Sequence, residues 1–436
     1  MYCDSSYHYI NQNKIKAFSN VRINDGDSLT ISANQLIYNG ETKVSFLNGN
    51  IILKDRYTEL HTNEIELNLN SNIAYCNEKS AIYQDGVTLN TNKGKYNTKS
   101  KMFYFKDNVN VHSQKYRIET DTLHFNSKSK IAFFLGPSYI FSKNNTIYCE
   151  NGWYNTDTDK SQFNKNAYIA DQKFIIQGDS LFYNRNKGYG KAIDNVKMLD
   201  TTNNITITGE LSEYFEEEDK IEISKKSLVN IQLNQDSVMI SAEKFIGFQE
   251  KEYIIAYNNV KIYNEDIQGI SDSLSYNMLD STINLYKEPV IWMDDIQVNS
   301  DIINILIKNK EVHIINFNIK PIIISEVDSL HFNQIKGKYI SALLNDNELV
   351  KLDVIGNGES LFIVQEDNEQ KIGINKANCS NITIHIEEKE IKDIIYRTKP
   401  KSNTIPYNQI KESQKFLTGF KWRINERPSD IEDIIQ

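Results

Sequence analysis

The sequence predicts an all-β protein, an elongated stack of antiparallel β-hairpin repeats folded into two facing sheets. Three observations predict it. An aromatic or aliphatic anchor recurs every 29 residues, three apolar columns hold register with it, and a turn-prone pair falls at a fixed place between two of the columns.

The anchors are Tyr38, Leu67, Tyr96, Phe125, Tyr154 and Tyr183, each 29 residues from the next, with His8 standing 30 before Tyr38. Self-similarity at such a period marks a repeat architecture. Asn39, Asn68, Asn97, Asn126, Asn155 and Asn184 follow the anchors and lead into polar runs such as Thr98-Lys99-Ser100-Lys101. Asn tolerates left-handed backbone and bonds its own chain, so these segments read as hairpin turns.

Seven residues before the anchors stand Met1, Ile31, Leu60, Leu89, Ile118, Ile147 and Ile176. Nine after stand Ala17, Leu47, Cys76, Phe105, Phe134, Phe163 and Ala192, and fifteen after stand Ile23, Leu53, Ile82, Val111, Ile140, Ile169 and Met198. All three columns are apolar throughout, against a hydrophobic background of 39%. One such column arises by chance roughly once in 700 choices of offset, so three establish the register.

Eleven and twelve residues after the anchors come Ser19-Asn20, Gly49-Asn50, Asp107-Asn108, Gly136-Pro137, Lys165-Asn166 and Asp194-Asn195. Turn formers inside a strand signal a bulge, so each returning strand is expected to bend from one sheet into a facing one. The first column lies an odd number of positions from the anchor, and an unbroken strand would point the two in opposite directions. A bend on the outgoing strand reconciles them. Aliphatic and aromatic side chains then stack between the sheets.

After Tyr183 the period drifts. Tyr214 follows at 31, Ser273-Leu274-Ser275-Tyr276-Asn277 repeats the anchor with Leu285 nine on, and Asp328-Ser329-Leu330-His331-Phe332-Asn333 repeats it again. About 13 units are expected up to Tyr396, a rod of roughly 120 Å at about 4.8 Å per strand. The expected division is residues 1–200 as regular repeats, 201–396 as degenerate repeats continuing the stack, and 397–436 as a partly irregular or edge-capping tail. Three of the 6 prolines (Pro400, Pro406, Pro428) fall in that tail, leaving the body free to form ladders.

A net charge of -9 excludes a general nucleic-acid binder, which needs a positive surface against phosphates. Cys3, Cys76, Cys149 and Cys379 show neither Cys-x-x-Cys spacing nor a His in ligand register, so they read as isolated small hydrophobes. No apolar run reaches the 18 or so residues of a membrane span, and the N-terminus lacks a signal-peptide layout. Met1 falls inside a repeat, so the natural chain is expected to start upstream.

No nucleophile elbow, phosphate loop or His-Glu-x-x-His motif is present, so no catalytic residue, metal or cofactor is expected. His8, His61, His112, His124, His313, His331 and His385 are scattered through the stack. The recurring Asp4-Ser5, Asp179-Ser180, Asp272-Ser273 and Asp328-Ser329 lack a base in reach and read as turn or edge chemistry. Glu216-Glu217-Glu218-Asp219 occupies a hairpin-turn slot and reads as a solvated loop rather than a cation site. Trp153 and Trp422 are candidates either for gripping a partner or for packing on a neighbouring strand.

Three phrases, Phe103-Tyr104-Phe105-Lys106-Asp107-Asn108-Val109, Gly178-Asp179-Ser180-Leu181-Phe182-Tyr183-Asn184 and Ala192-Ile193-Asp194-Asn195-Val196, carry a strand, a turn and then a Gly-Asn-Val-like step. In them the unit resembles the OstA-like family, which includes the lipopolysaccharide-transport protein LptA and the N-terminal domain of LptD. The resemblance is closest to the long OstA-like proteins of Bacteroidota and runs from Met1 through Gly419-Phe420-Lys421-Trp422. It implies a β-taco or β-jellyroll, periplasmic or associated with the outer membrane, that shields lipid A acyl chains while the sugars stay in water.

On that reading the columns become the lipid groove, with Ile31, Leu47, Leu60, Leu89, Phe105, Ile118, Phe134, Ile147, Phe163 and Ile176 as its expected lining. The implied partners are lipopolysaccharide, other lipopolysaccharide-transport components joined through β-edge pairing, and further copies end to end. The competing expectation is a structural or adhesive repeat protein with a closed dry core. A polysaccharide-degrading parallel β-helix would need a local Asp, Arg or Lys cluster, which does not stand out.

Overall fold

The computed structural model describes all residues except 27, 28, 57, 144, 234–236, 347, 367–369, 389 and 436. It divides into two compact units, Met1–Thr201 and Thr202–Gln436. Among the described residues both consist of antiparallel strands and isolated 3-10 turns, with no α-helix. Antiparallel pairing throughout rules out the parallel β-helix.

In the first unit long strands run to and fro: Lys14–Asp25, Leu29–Asn39, Val44–Asp55 and Glu59–Asn68, then Met102–His112 through Tyr189–Asp200. The turns repeat one device. The Asn39 side-chain oxygen accepts hydrogen bonds from the backbone N–H groups of Glu41 (2.9 Å) and Thr42 (3.2 Å). Asn68, Asn97, Asn126 and Asn155 make the same pair of bonds two and three residues ahead. The left-handed residue comes later, five after the anchor, at Lys43, Asn72, Lys101, Lys130 and Asp159. Asn therefore serves by bonding its own chain, and other residues supply the positive φ.

The bends stand where the turn-prone pairs predict them. Asp107 and Asn108 have φ of 67° and 55°, and Ser19-Asn20, Gly49-Asn50, Lys165-Asn166 and Asp194-Asn195 are left-handed likewise. Lys106 pairs with Thr122 and Val109 with Thr120, so two residues oppose one and the strand is re-aimed. The outgoing strand slips too: Leu60, Thr62, Ile65 and Leu67 are buried, a change of phase at Asn63-Glu64 that turns both the first column and the anchor inward.

Three of the four Asp-Ser pairs find their role at these bends, while Asp328 closes a hairpin end by accepting from the Leu330 and His331 N–H groups. Asp4 and Asp179 each accept a hydrogen bond at 2.8 Å from the side-chain amide of the second left-handed residue, Asn20 and Asn195. Glu150 does the same for Asn166 at 2.8 Å, and Asp272 holds Lys287 at 2.6 Å. A β-branched side chain in left-handed backbone crowds the following carbonyl. Asn108→Val is accordingly expected to cost about 1–2 kcal/mol, read as a lowered urea midpoint with an unchanged m-value.

In the second unit the two half-sheets separate. From Ile267–Asn277, one half continues through Val290–Met293, Ile296–Asn299, Ile322–Asp328 and His331–Lys336. The other runs through Thr282–Tyr286, Ile302–Lys308, Glu311–Asn318 and Tyr339–Asn345. Both rejoin at the 18-residue strand Glu348–Gln365. The bend at Lys287-Glu288 (φ 64° and 54°) joins Thr282–Tyr286 to Val290–Met293. From Tyr407 the chain leaves the sheet and proceeds in short 3-10 turns.

Candidate functional site

The first unit's interior is closely packed over much of its length. Of the ten expected groove residues, Ile31, Leu47, Leu60, Leu89, Phe105, Ile118, Phe134 and Phe163 are buried within one core cluster. The Phe103 ring stacks between Tyr96 at 4.1 Å and Phe105 at 5.6 Å, and Phe134 meets Phe163 at 6.2 Å. Ile147 and Ile176 differ: with Ile140 and Ile169 they pack against that cluster but are only partly buried. The inner face thus opens along the half-sheet carrying the first and third columns, between residues 140 and 176, while the second column stays covered.

This pattern has a family. The model described as OstA-like protein matches residues 1–121 and again 118–179. Residues 1–179 belong to the OstA-like family. No curated protein matches the sequence. Among solved structures, LptH of Pseudomonas aeruginosa, described as the LptA-homologous periplasmic component of its lipopolysaccharide transport device, is similar at 12% identity. That match covers 26% of this chain and 82% of LptH, with a TM-score of 0.25.

Beyond the OstA-like match, the second unit holds an apolar slot that none of the three apolar columns reaches. It lies between the half-sheets and is lined by Ile231, Ile240 and Ile267 on one side and Ile283, Ile305 and Ile315 on the other, with Asn264 among its few polar neighbours. Its free volume is about 30 Å³, room for little more than a water molecule. Drift in the repeat spacing hid it, because the columns lose register after residue 200. Runs such as Ile302-Ile303-Asn304-Ile305-Leu306-Ile307 were the available signal.

Polar groups within the OstA-like repeats serve structure. The Tyr96 hydroxyl donates to the buried Asp55 carboxylate at 2.5 Å, which also accepts from the Thr58 backbone N–H at 2.8 Å. Burial, reinforced by that carboxylate, pushes the Tyr96 phenol well above its ordinary range. Burial likewise pushes the Cys76 and Cys149 thiols up to about 12. Neither is in a disulfide. A maleimide at pH 7.5 is therefore expected to leave both unmodified in the native protein and to label both after denaturation, as peptide mass mapping would show.

The other singled-out side chains also pack. The turn Glu216–Asp219 is held by its own chain, with Asp219 accepting from the Glu250 backbone N–H at 2.7 Å. His331 bonds Asp328 at 2.6 Å and the Tyr407 hydroxyl, tying the root of the tail to the sheet. Lys371, on the other Asp328 oxygen, holds that carboxyl far below the usual range. Trp153 is half-buried beside Gln162 and Phe133, and Trp422 lies on Phe332 at 5.1 Å. Among the described residues no three His, Cys, Asp or Glu gather at metal-binding range, and no helix is long and apolar enough to cross a membrane.

Proposed function

We propose that the chain is a periplasmic or outer-membrane-associated lipopolysaccharide-transport scaffold, whose apolar interior shields lipid A acyl chains while their sugars remain in water. The observation that carries this reading is the aliphatic slot between the half-sheets of the second unit. The partly exposed Ile140, Ile147, Ile169 and Ile176 in the OstA-like segment support it. Apolar burial at about 25 cal/mol per Å² holds a chain without directional bonds, so a lipid can slide along a uniform track. At about 30 Å³ the slot admits an acyl chain only when the half-sheets part.

Other transport components would join through β-edge pairing, as would further copies end to end. The second reading, a structural array with a closed dry core, is favoured by the stacked Tyr96, Phe103 and Phe105.

The two readings separate in one experiment. Photo-crosslinking residues at Ile240, Ile305 and Ile176, with Phe134 as a packed control, are introduced into the full chain in a Gram-negative host. Lipopolysaccharide adducts at the first three and few at Phe134 are expected, together with co-purified lipid in native mass spectra. Absence of adducts at every position, with no bound lipid, leaves the dry array.

A further inference from the structure

Within the second unit the tail is bonded to the sheet as a ligand is bonded to a receptor. From Lys411 onward, among the described residues, its backbone-to-backbone hydrogen bonds close only within itself. Its attachment to the sheet runs through side chains. The Gln334 amide donates to the Lys415 carbonyl at 2.9 Å and accepts from the Leu417 N–H at 2.7 Å. The Gln297 amide repeats this one step along, donating to the Lys421 carbonyl at 2.7 Å and accepting from the Arg423 N–H at 2.8 Å. Gln268 accepts two bonds from the Arg427 guanidinium, at 2.8 and 2.6 Å.

These glutamines form a built row. Gln268 pairs across to Trp292, Trp292 to Gln297, Gln297 to Ile324 and Ile324 to Gln334, so all five share one face in a line perpendicular to the strands. The three glutamines are 4%, 0% and 0% exposed. A buried amide without partners is costly, so such residues persist on a sheet face only where something satisfies them. Each clamped pair of tail groups is two residues apart, Lys415 with Leu417 and Lys421 with Arg423, so each amide reads one short stretch of peptide backbone. Apolar anchors add selectivity: Leu417, Phe420 and Trp422 pack on Ile322, Ile324 and Phe332.

We propose that this row is a peptide-docking site whose ligand is the tail sequence itself, held in cis here and open to exchange with the tail of a second copy of the chain. The inference is independent of lipid carriage. A tethered tail competes at millimolar effective concentration, so a free peptide is excluded until the tethered one is weakened.

The test uses the full chain carrying L417A/F420A/W422A and a fluorescein-labelled peptide of residues 411–436, followed by anisotropy. Saturable binding is expected, weakened at least tenfold by adding Q297A/Q334A and at least tenfold weaker in the unaltered chain. A second measurement stands if the tail-altered chain fails to fold. In the otherwise unaltered chain, Q297A/Q334A should speed hydrogen exchange at the Leu417 and Arg423 amides at least tenfold while the body strands keep their protection. Peptide binding that is absent or indifferent to Q297A/Q334A in a folded tail-altered chain overturns the proposal, as does unchanged exchange at both amides.

Discussion

Phe134→Ala is expected to destabilise the first unit by about 3–5 kcal/mol, the cost of emptying a large aromatic site that its surroundings cannot refill. The ring is 0% exposed, lies against Phe163, and is flanked across the strands by Leu123 and Gly152. Gly152 cannot relieve the void with a side chain of its own, since a Cβ there would meet the Gln162 carbonyl oxygen at 2.5 Å. Ile147→Ala and Ile176→Ala, at inward positions already partly wet, should cost only about 1 kcal/mol each because less area leaves water on folding. Guanidinium unfolding of the three variants reads the contrast. Equal losses at all three would mean a uniformly dry interior and would weigh against the lipid track.

The bends were readable because two independent signals converged on each: a turn-prone pair at a constant offset, and apolar columns that only a bend could bring to one face. Asp107-Asn108 and Asp194-Asn195 show both, and both are left-handed pairs in the structure. The slot was not readable in the same way. Ile240, Ile267 and Ile305 belong to repeats whose spacing has drifted, so no column runs through them, and which of two apolar neighbours faces inward depends on long-range pairing. The lipid itself is named by resemblance alone; the columns supply only the apolar surface.

Gln268 and Gln297 are 29 residues apart, the period of the array, yet a lone Gln in a strand reads as an outward polar residue. The informative feature was their surroundings. Val290-Ile291-Trp292-Met293 and Ile322-Ile323-Ile324 are unbroken apolar runs, which an antiparallel strand wetted on one face does not need. They are buried on both faces because the tail covers the outer one.

Trp292 is where that double burial should weigh most. It is 1% exposed, sits between Gln268 and Gln297 in the row, and donates its indole N–H to the Gln297 side-chain oxygen at 3.1 Å. Trp292→Ala is expected to cost about 3–5 kcal/mol, combining a large cavity with a Gln297 oxygen short of one donor. Trp292→Phe keeps much of the apolar contact and should lose about 1 kcal/mol for the hydrogen bond, beyond whatever the smaller ring gives up in packing. The Gln297 oxygen also accepts from the Arg423 N–H, so both substitutions should loosen the tail as well as the sheet. Thermal unfolding reports the first effect and, in a Trp153→Phe background that leaves Trp422 as the remaining indole of the Trp292 variants, the fluorescence of Trp422, shifting red as it leaves Phe332, reports the second. If Trp292→Ala unfolds the sheet at lower temperature while Trp422 keeps its native emission below the transition, the row and the tail are not coupled through Gln297.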